Sequence, residues 1–209
     1  MSKTLTGEQA EILRFASGGH NLLITGQAGA GKSTVVNSIR QDCRERGLKV
    51  AVVCSSGIAC KVYENGVVAT VHSFYGLGAA DMPSKQLIHR AVGDRRLCEK
   101  LSKVDVLIWD EASMSSARMI ELVNALHHHL SSEESGLENL PFAGKQVIIV
   151  REFLQLRPVP SFLDSGEFMF KSRVFEHAIT HQFELTKVLR QSEADKMSRI
   201  NRIQRLGRL

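Results

Sequence analysis

NLLITGQAGAGKST, residues Asn21 to Thr34, is the stretch whose reading decides the fold. The apolar run Leu22 to Ile24 has the length and composition of a buried strand, and it ends in Thr25 and Gly26. A small-residue loop of Gly26, Gln27, Ala28, Gly29, Ala30 and Gly31 follows, and Lys32, Ser33 and Thr34 open a helical pattern. Gly26 and Gly31-Lys32-Ser33 satisfy the spacing G-x-x-x-x-G-K-[ST]. In such a loop backbone N–H groups close around a phosphate chain, and the helix start adds the positive end of its dipole. Lys32 is placed to reach the outer phosphates and the Ser33 hydroxyl to reach a magnesium ion.

Outward from this loop, 209 residues with 43% hydrophobic content suffice for one domain with a real core. A net charge of +5 permits a polyanionic partner without requiring one, because both signs are mixed along most of the chain. Cys43, Cys54, Cys60 and Cys98 show neither a C-x-x-C pair nor metal-finger spacing, which points to reduced thiols and an intracellular compartment. No apolar run approaches the roughly 18 residues that cross a bilayer, and the first residues, MSKTLTGEQAEIL, carry carboxylates that a signal or transit peptide avoids. A soluble protein with no membrane partner is expected.

Thr6 can cap a helix that holds Gln9, Ile12, Leu13 and Phe15 and ends at Gly18-Gly19. Gln9 either hydrogen-bonds an adenine edge or is a solvated helix residue. The helix after the loop should run to about Arg46, with Gly47 stopping it, and Val50 to Val53 reads as a second buried strand. At that strand's carboxyl end stand Ser55, Ser56 and Gly57, and the segment Thr70 to Tyr75 adds His72, Ser73, Phe74 and Tyr75. Small donors and aromatic faces at the ligand-binding edge of an α/β sheet suit single-stranded nucleic acid, although as isolated features such residues more often serve packing and turns.

Asp81 to Leu101 holds a helical pattern that Gly93 interrupts. A third strand, Val104 to Trp109, delivers Asp110 and Glu111. Two adjacent carboxylates at a strand end, downstream of a phosphate loop, form the second half of a nucleoside-triphosphatase site. One acid holds magnesium through water, and the other orients or deprotonates the attacking water. Ser115 to Leu130 reads as a helix whose end, His127, His128 and His129, points three ways and is expected to be solvated rather than metal-bound. Val147 to Val150 and Phe183 to Leu185 are further strands, and a basic amphipathic helix from about Ala194 closes the chain.

Taken in order, GQAGAGKS, SSGIACKVYENGVVATVHSF, IWDEASM, PFAGKQVIIVREFLQLRPVP and LTKVLRQ resemble the motifs of superfamily 1B DNA helicases. The similarity is to the petite-integration-frequency (PIF) branch, related to the RecD subunit, and it runs from about Leu5 to Gly207. It implies an α/β, RecA-like P-loop fold, a parallel sheet with helices on both faces, moving 5' to 3' on single-stranded DNA as ATP is hydrolysed. It also implies residue roles. Gln9 would touch adenine, Gly26 to Thr34 would cradle phosphates, and Ser33 with Asp110 would hold Mg2+. Glu111 would activate water, Gln155 would sense the γ-phosphate, and Arg190 would neutralise the charge that develops on it. Ser56, Gly57, His72, Ser73 and Phe74 would meet DNA. Pro141, Phe142, Gly144 and Gln146 resemble the branch's PFGGxQ signature.

Two departures qualify the resemblance. Arg151-Glu152 stands where the family usually has Gly-Asp, so Arg151 is expected beside the magnesium site, folding onto Asp110 and Glu111 and competing with the metal. The family also clamps ATP between two RecA-like domains, and residues 1–209 supply one, with residues 194–209 leading towards the second. The leading expectation is therefore the ATP-binding motor domain of a DNA helicase, nuclear or mitochondrial. The rival is a degenerate module that holds nucleotide or single-stranded DNA without turnover. A small-molecule P-loop kinase is disfavoured, because it has no need of the paired Asp110-Glu111 or of Gln155.

Overall fold

The computed structural model describes residues 5–63, 67–131, 136–137, 139–152 and 156–186. Six parallel strands form one sheet: β1 (Leu22–Gly26), β2 (Val50–Cys54), β3 (Val67–Thr70), β4 (Val106–Asp110), β5 (Gln146–Arg151) and β6 (His181–Leu185). Their order is β3-β2-β4-β5-β1-β6, so β5 separates the strand of the phosphate loop from the strand of the paired carboxylates. This α/β arrangement is the one the sequence implies. The edge strand β3 is an addition; at four residues of mostly β-branched type it is too short to show a period in the sequence.

Because helices cover both faces, each strand buries both of its sides, and the apolar runs are continuous. Alternation then sorts them into two cores. Leu22, Ile24, Val52, Cys54, Ile108, Ile148 and Val150 lie on the face that also packs Val35, Val36 and Ile39 of α2 (Lys32–Glu45) and Ile12 of α1 (Gly7–Ser17). Leu23, Ala51, Val53, Leu107, Trp109, Val147 and Ile149 lie on the other, against α5 (Ser84–Gly93), α6 (Arg95–Ser102) and α7 (Ala117–Leu130). The interruption expected at Gly93 is real: Asp94 ends α5 and caps α6, its carboxylate accepting from the Leu97 amide at 3.1 Å. Thr6 caps α1 through a reciprocal pair with Gln9. The expected helix from Ala194 lies outside the described residues. No helix among the described residues is long and apolar enough to cross a membrane.

His127 departs from expectation. It lies one turn beyond Val123 on the buried stripe of α7, is 1% exposed, and its Nε2 is 2.9 Å from the Tyr75 hydroxyl. Burial first, then the nearby charges of Lys145 and His128, lower its pKa from 6.5 to about 3. The imidazole is a neutral core group, not a solvated helix end. A histidine whose pKa falls on folding contributes fully above its unfolded pKa, and that contribution is lost as pH falls from about 6.5 towards about 3. At pH 4.5 this group alone withdraws roughly 2–3 kcal/mol. Thermal melts at pH 7 and 4.5 test it: His127→Leu should melt lower than the parent at pH 7 yet lose less between the two pH values.

Candidate nucleotide site

The loop after β1 needs glycine where it turns. A Cβ on Gly26 would stand 3.0 Å from the Leu185 carbonyl oxygen and 3.1 Å from its Cβ, so the end of β1 leaves no room for a side chain against β6. Gly31, at φ 91°, starts α2 in the left-handed region that glycine enters without cost. No side chain caps α2, which leaves its first amides and its positive dipole end to an anion. Lys32 curls back over the loop, its Nζ donating to the carbonyls of Gly26 at 2.7 Å and Gln27 at 3.0 Å and pairing with Glu152 Oε2 at 3.4 Å.

Two residues in a row on a strand point to opposite faces, so Asp110 and Glu111 could not serve one site if β4 simply continued. The chain leaves the strand at Glu111, whose φ of 52° and ψ of 37° turn it left-handed. That turn lets the Glu111 amide donate to Asp110 Oδ1 at 2.8 Å. The Ser56 hydroxyl, at the end of neighbouring β2, donates to Glu111 Oε2 at 2.9 Å. Asp110 Oδ2 accepts from the hydroxyl of Tyr63 at 2.5 Å. Burial raises the Asp110 pKa, while Tyr63, the Glu111 amide and the charge of Lys32 work against that rise. Burial and Asp110 push the Tyr63 phenol up, and the nearby Ser33 hydroxyl works against that rise. Tyr63 was invisible to motif reasoning: it follows the short helix α3 (Gly57–Cys60) and belongs to no spacing rule.

The expected place of Arg151 is overturned, although the strand order behind it holds. Position 151 shares the parity of Val147 and Ile149, so its side chain leaves on the face opposite the phosphate loop. There the guanidinium lies 5.2 Å from the Phe170 ring centroid and lines a cavity of about 930 Å³ with Leu23, Thr25 and Phe175. It is Glu152, one residue on and with the parity of Val150, that reaches the site and meets Lys32.

Gln9 is not a solvated residue. It is 1% exposed, its Oε1 accepts from the Thr6 amide at 3.0 Å, and its Nε2 finds no partner among the described residues. An orphaned buried donor beside the phosphate-loop strand fits an acceptor on a nucleobase. Gln155 and Arg190 lie outside the described residues. Of the residues expected at DNA, Ser56 caps α3, Gly57 and Ser73 are exposed, and His72 is half-buried. Phe74 is a correction: it is 1% exposed, with the Lys100 ammonium 4.1 Å from its ring centroid, and presents no face for a base. Phe74 ends the four-residue helix α4 (Val71–Phe74), and that one turn swings the ring into the core between α6 and the sheet. Phe142 and Gln146 also do structural work. Phe142 is buried, its amide donating to Asn124 Oδ1 at 2.7 Å, and Gln146 Nε2 donates to the carbonyls of Ala16 at 2.8 Å and His20 at 2.9 Å.

A phosphate loop on β1, a carboxylate pair on β4 and an all-parallel sheet with helices on both faces define a RecA-like P-loop domain. The chain belongs to the PIF1-like helicase family, whose model matches residues 4–206. The human ATP-dependent DNA helicase PIF1 is 32% identical over 209 residues, an alignment that spans 98% of this chain and 30% of that relative. The crystal structure of Pif1 helicase from Candida albicans superposes with a TM-score of 0.79 at 29% identity, over 93% of this chain and 42% of that one. Bacteroides Pif1 in complex with ADP-AlF3 and single-stranded DNA superposes with a TM-score of 0.72 at 27% identity, over 97% and 47%. The chain thus spans less than a third of the human relative and less than half of these solved chains.

Two substitutions separate the faces of β5. Glu152→Gln, which removes the competitor for Lys32, should tighten a fluorescent ATP analogue several-fold, whereas Arg151→Ala should leave that affinity within about twofold. An affinity change for Arg151→Ala as large as that for Glu152→Gln would refute the assignment. Phe74→Ala should cost about 3–5 kcal/mol of unfolding free energy in urea melts, as truncation of a core aromatic does.

Proposed function

We propose that this chain is the first motor domain of a 5'–3' ATP-dependent DNA helicase, binding ATP with Mg2+ and coupling its hydrolysis to movement on single-stranded DNA. The observation that carries the reading is the convergence of Lys32, Ser33, Asp110 and Glu111 at the carboxyl ends of β1 and β4, where Tyr63 bonds to Asp110 and Glu152 pairs with Lys32. The human relative's description as an ATP-dependent DNA helicase and the Bacteroides complex with ADP-AlF3 and single-stranded DNA support it.

In this reading the residues take distinct tasks. The amides of Gly26 to Thr34 hold the phosphates, and Gln9 Nε2 offers its spare hydrogen to the adenine. Lys32 must leave Glu152 and the loop carbonyls to reach the outer phosphates. Among the described residues no group of three or more His, Cys, Asp or Glu could hold a metal alone, so Ser33 and Asp110 would bind Mg2+ only together with the triphosphate. The ion's chemistry there is to neutralise charge on the β- and γ-phosphates. Glu111, oriented by Ser56, takes the proton of the attacking water. Ser56 also caps α3, whose Gly57 and Ile58 are exposed, so the same hydroxyl borders both the carboxylate and the surface assigned to DNA. Gln155 and Arg190 of this chain would sense and neutralise the γ-phosphate, and a second RecA-like domain would complete the clamp.

Phosphate release measured with and without single-stranded DNA, alongside titration of a fluorescent ATP analogue, tests the roles. Lys32→Ala should weaken ATP binding by about 1.5–3 kcal/mol, the worth of a charge-assisted contact. Glu111→Gln should bind ATP within about twofold of the parent and release no phosphate. Equal loss of binding in both variants would make Glu111 structural, and an unchanged affinity in folded Lys32→Ala would remove the nucleotide site.

A further inference from the structure

Tyr63 is the buried polar side chain that neither the phosphate loop nor the carboxylate pair accounts for. Its ring is 5% exposed within the core on the phosphate-loop face, and the Arg40 guanidinium stands 5.6 Å from the ring centroid. Its hydroxyl donates to Asp110 Oδ2 at 2.5 Å, with the Ser33 side chain beside the same oxygen. These are the two groups assigned above to Mg2+, one as direct ligand and one through water. The other Asp110 oxygen is taken by the Glu111 amide. A phenolic hydroxyl that donates a hydrogen bond to this carboxylate takes the place of a magnesium-bound water there. Magnesium keeps a rigid octahedral shell with oxygens at about 2.0–2.1 Å, so its waters and this hydroxyl compete for the same carboxylate oxygen.

We propose that Tyr63 is a positioning residue that closes the magnesium site of the nucleotide-free protein: its hydroxyl occupies Asp110 Oδ2 and gives way when the magnesium nucleotide binds. The inference rests on the reading of Ser33 and Asp110 as the magnesium-holding pair. It makes the aromatic side chain after α3 a determinant of how tightly the metal form of the nucleotide binds, separately from the phosphate loop's grip on the nucleotide itself. Nucleotide binding without metal leaves the Tyr63–Asp110 bond intact; binding with metal breaks it.

Isothermal titration of the parent and Tyr63→Phe with ATP, once in Mg2+ and once in EDTA, tests this. Phe keeps the ring's packing and deletes only the hydroxyl, and affinity in Mg2+ should rise about tenfold, the equivalent of ~1.4 kcal/mol, while affinity in EDTA stays within about twofold. Unchanged or weaker binding in Mg2+ overturns the proposal, the weaker case meaning that the hydroxyl orients Asp110 for the metal. A rise of equal size in both media also overturns it, since the hydroxyl would then oppose the nucleotide and not the ion. A second measurement needs no substitution. The near-ultraviolet difference spectrum of the parent protein should show a tyrosine perturbation on adding ATP with Mg2+ and none on adding ATP with EDTA; equal spectra overturn the proposal. If the parent binds ATP in neither medium, the nucleotide reading itself fails and the inference falls with it; ATP binding that is the same in parent and variant defeats Tyr63 alone.

Discussion

Side-chain alternation along parallel strands is the constraint on which the rest of this molecule depends. With both faces of the sheet covered, apolar residues line each strand without a break, so a residue's face is set by its parity and not by its hydropathy. Ile24, Ile108, Ile148 and Val150 share one face, and the positions that follow in step, Gly26, Asp110 and Glu152, inherit it as they leave the sheet at its carboxyl edge. One residue of slip would send any of these to the opposite core. The placement of β5 between β1 and β4 then brings a lysine, an aspartate and two glutamates within reach of one another.

What the sequence made legible was what chemistry fixes by spacing. The phosphate loop, the apolar run that ends in Asp110-Glu111, the cap at Thr6 and the break at Gly93 are local patterns, and the structure carries each of them. Residues placed by neighbours distant in sequence were not legible. Phe74 looks like a stacking platform until a one-turn helix buries it. His127 looks like surface until the stripe of α7 extends one more turn, and Tyr63 finds Asp110 across 47 positions. Arg151 is the instructive case: the strand order behind its expected position is right, and a parity of one residue reverses the conclusion.

The paired carboxylates share a site at a cost. A left-handed backbone at a non-glycine residue such as Glu111 stores on the order of 1–3 kcal/mol, and it persists because the surroundings over-determine it. Here the Glu111 amide on Asp110 and the Ser56 hydroxyl on the glutamate hold the turn from both ends. Beneath them runs a chain of hydroxyls: Ser55 Oγ is 2.7 Å from Ser115 Oγ, which in turn accepts from the Trp109 indole at 3.3 Å. The start of the segment after β4 is thereby tied to the end of β2, the strand that leads to the surface proposed for DNA.

Trp109 is the chain's single tryptophan, fully buried and one peptide bond from Asp110. Its indole N–H ends the hydroxyl chain that begins beside Ser56. The protein therefore carries its own optical probe in the carboxylate strand. Emission from this one ring is free of interference from other indoles and sensitive to its bond with Ser115, so a rearrangement at the end of β4 registers as a change in intensity or wavelength without any dye attached.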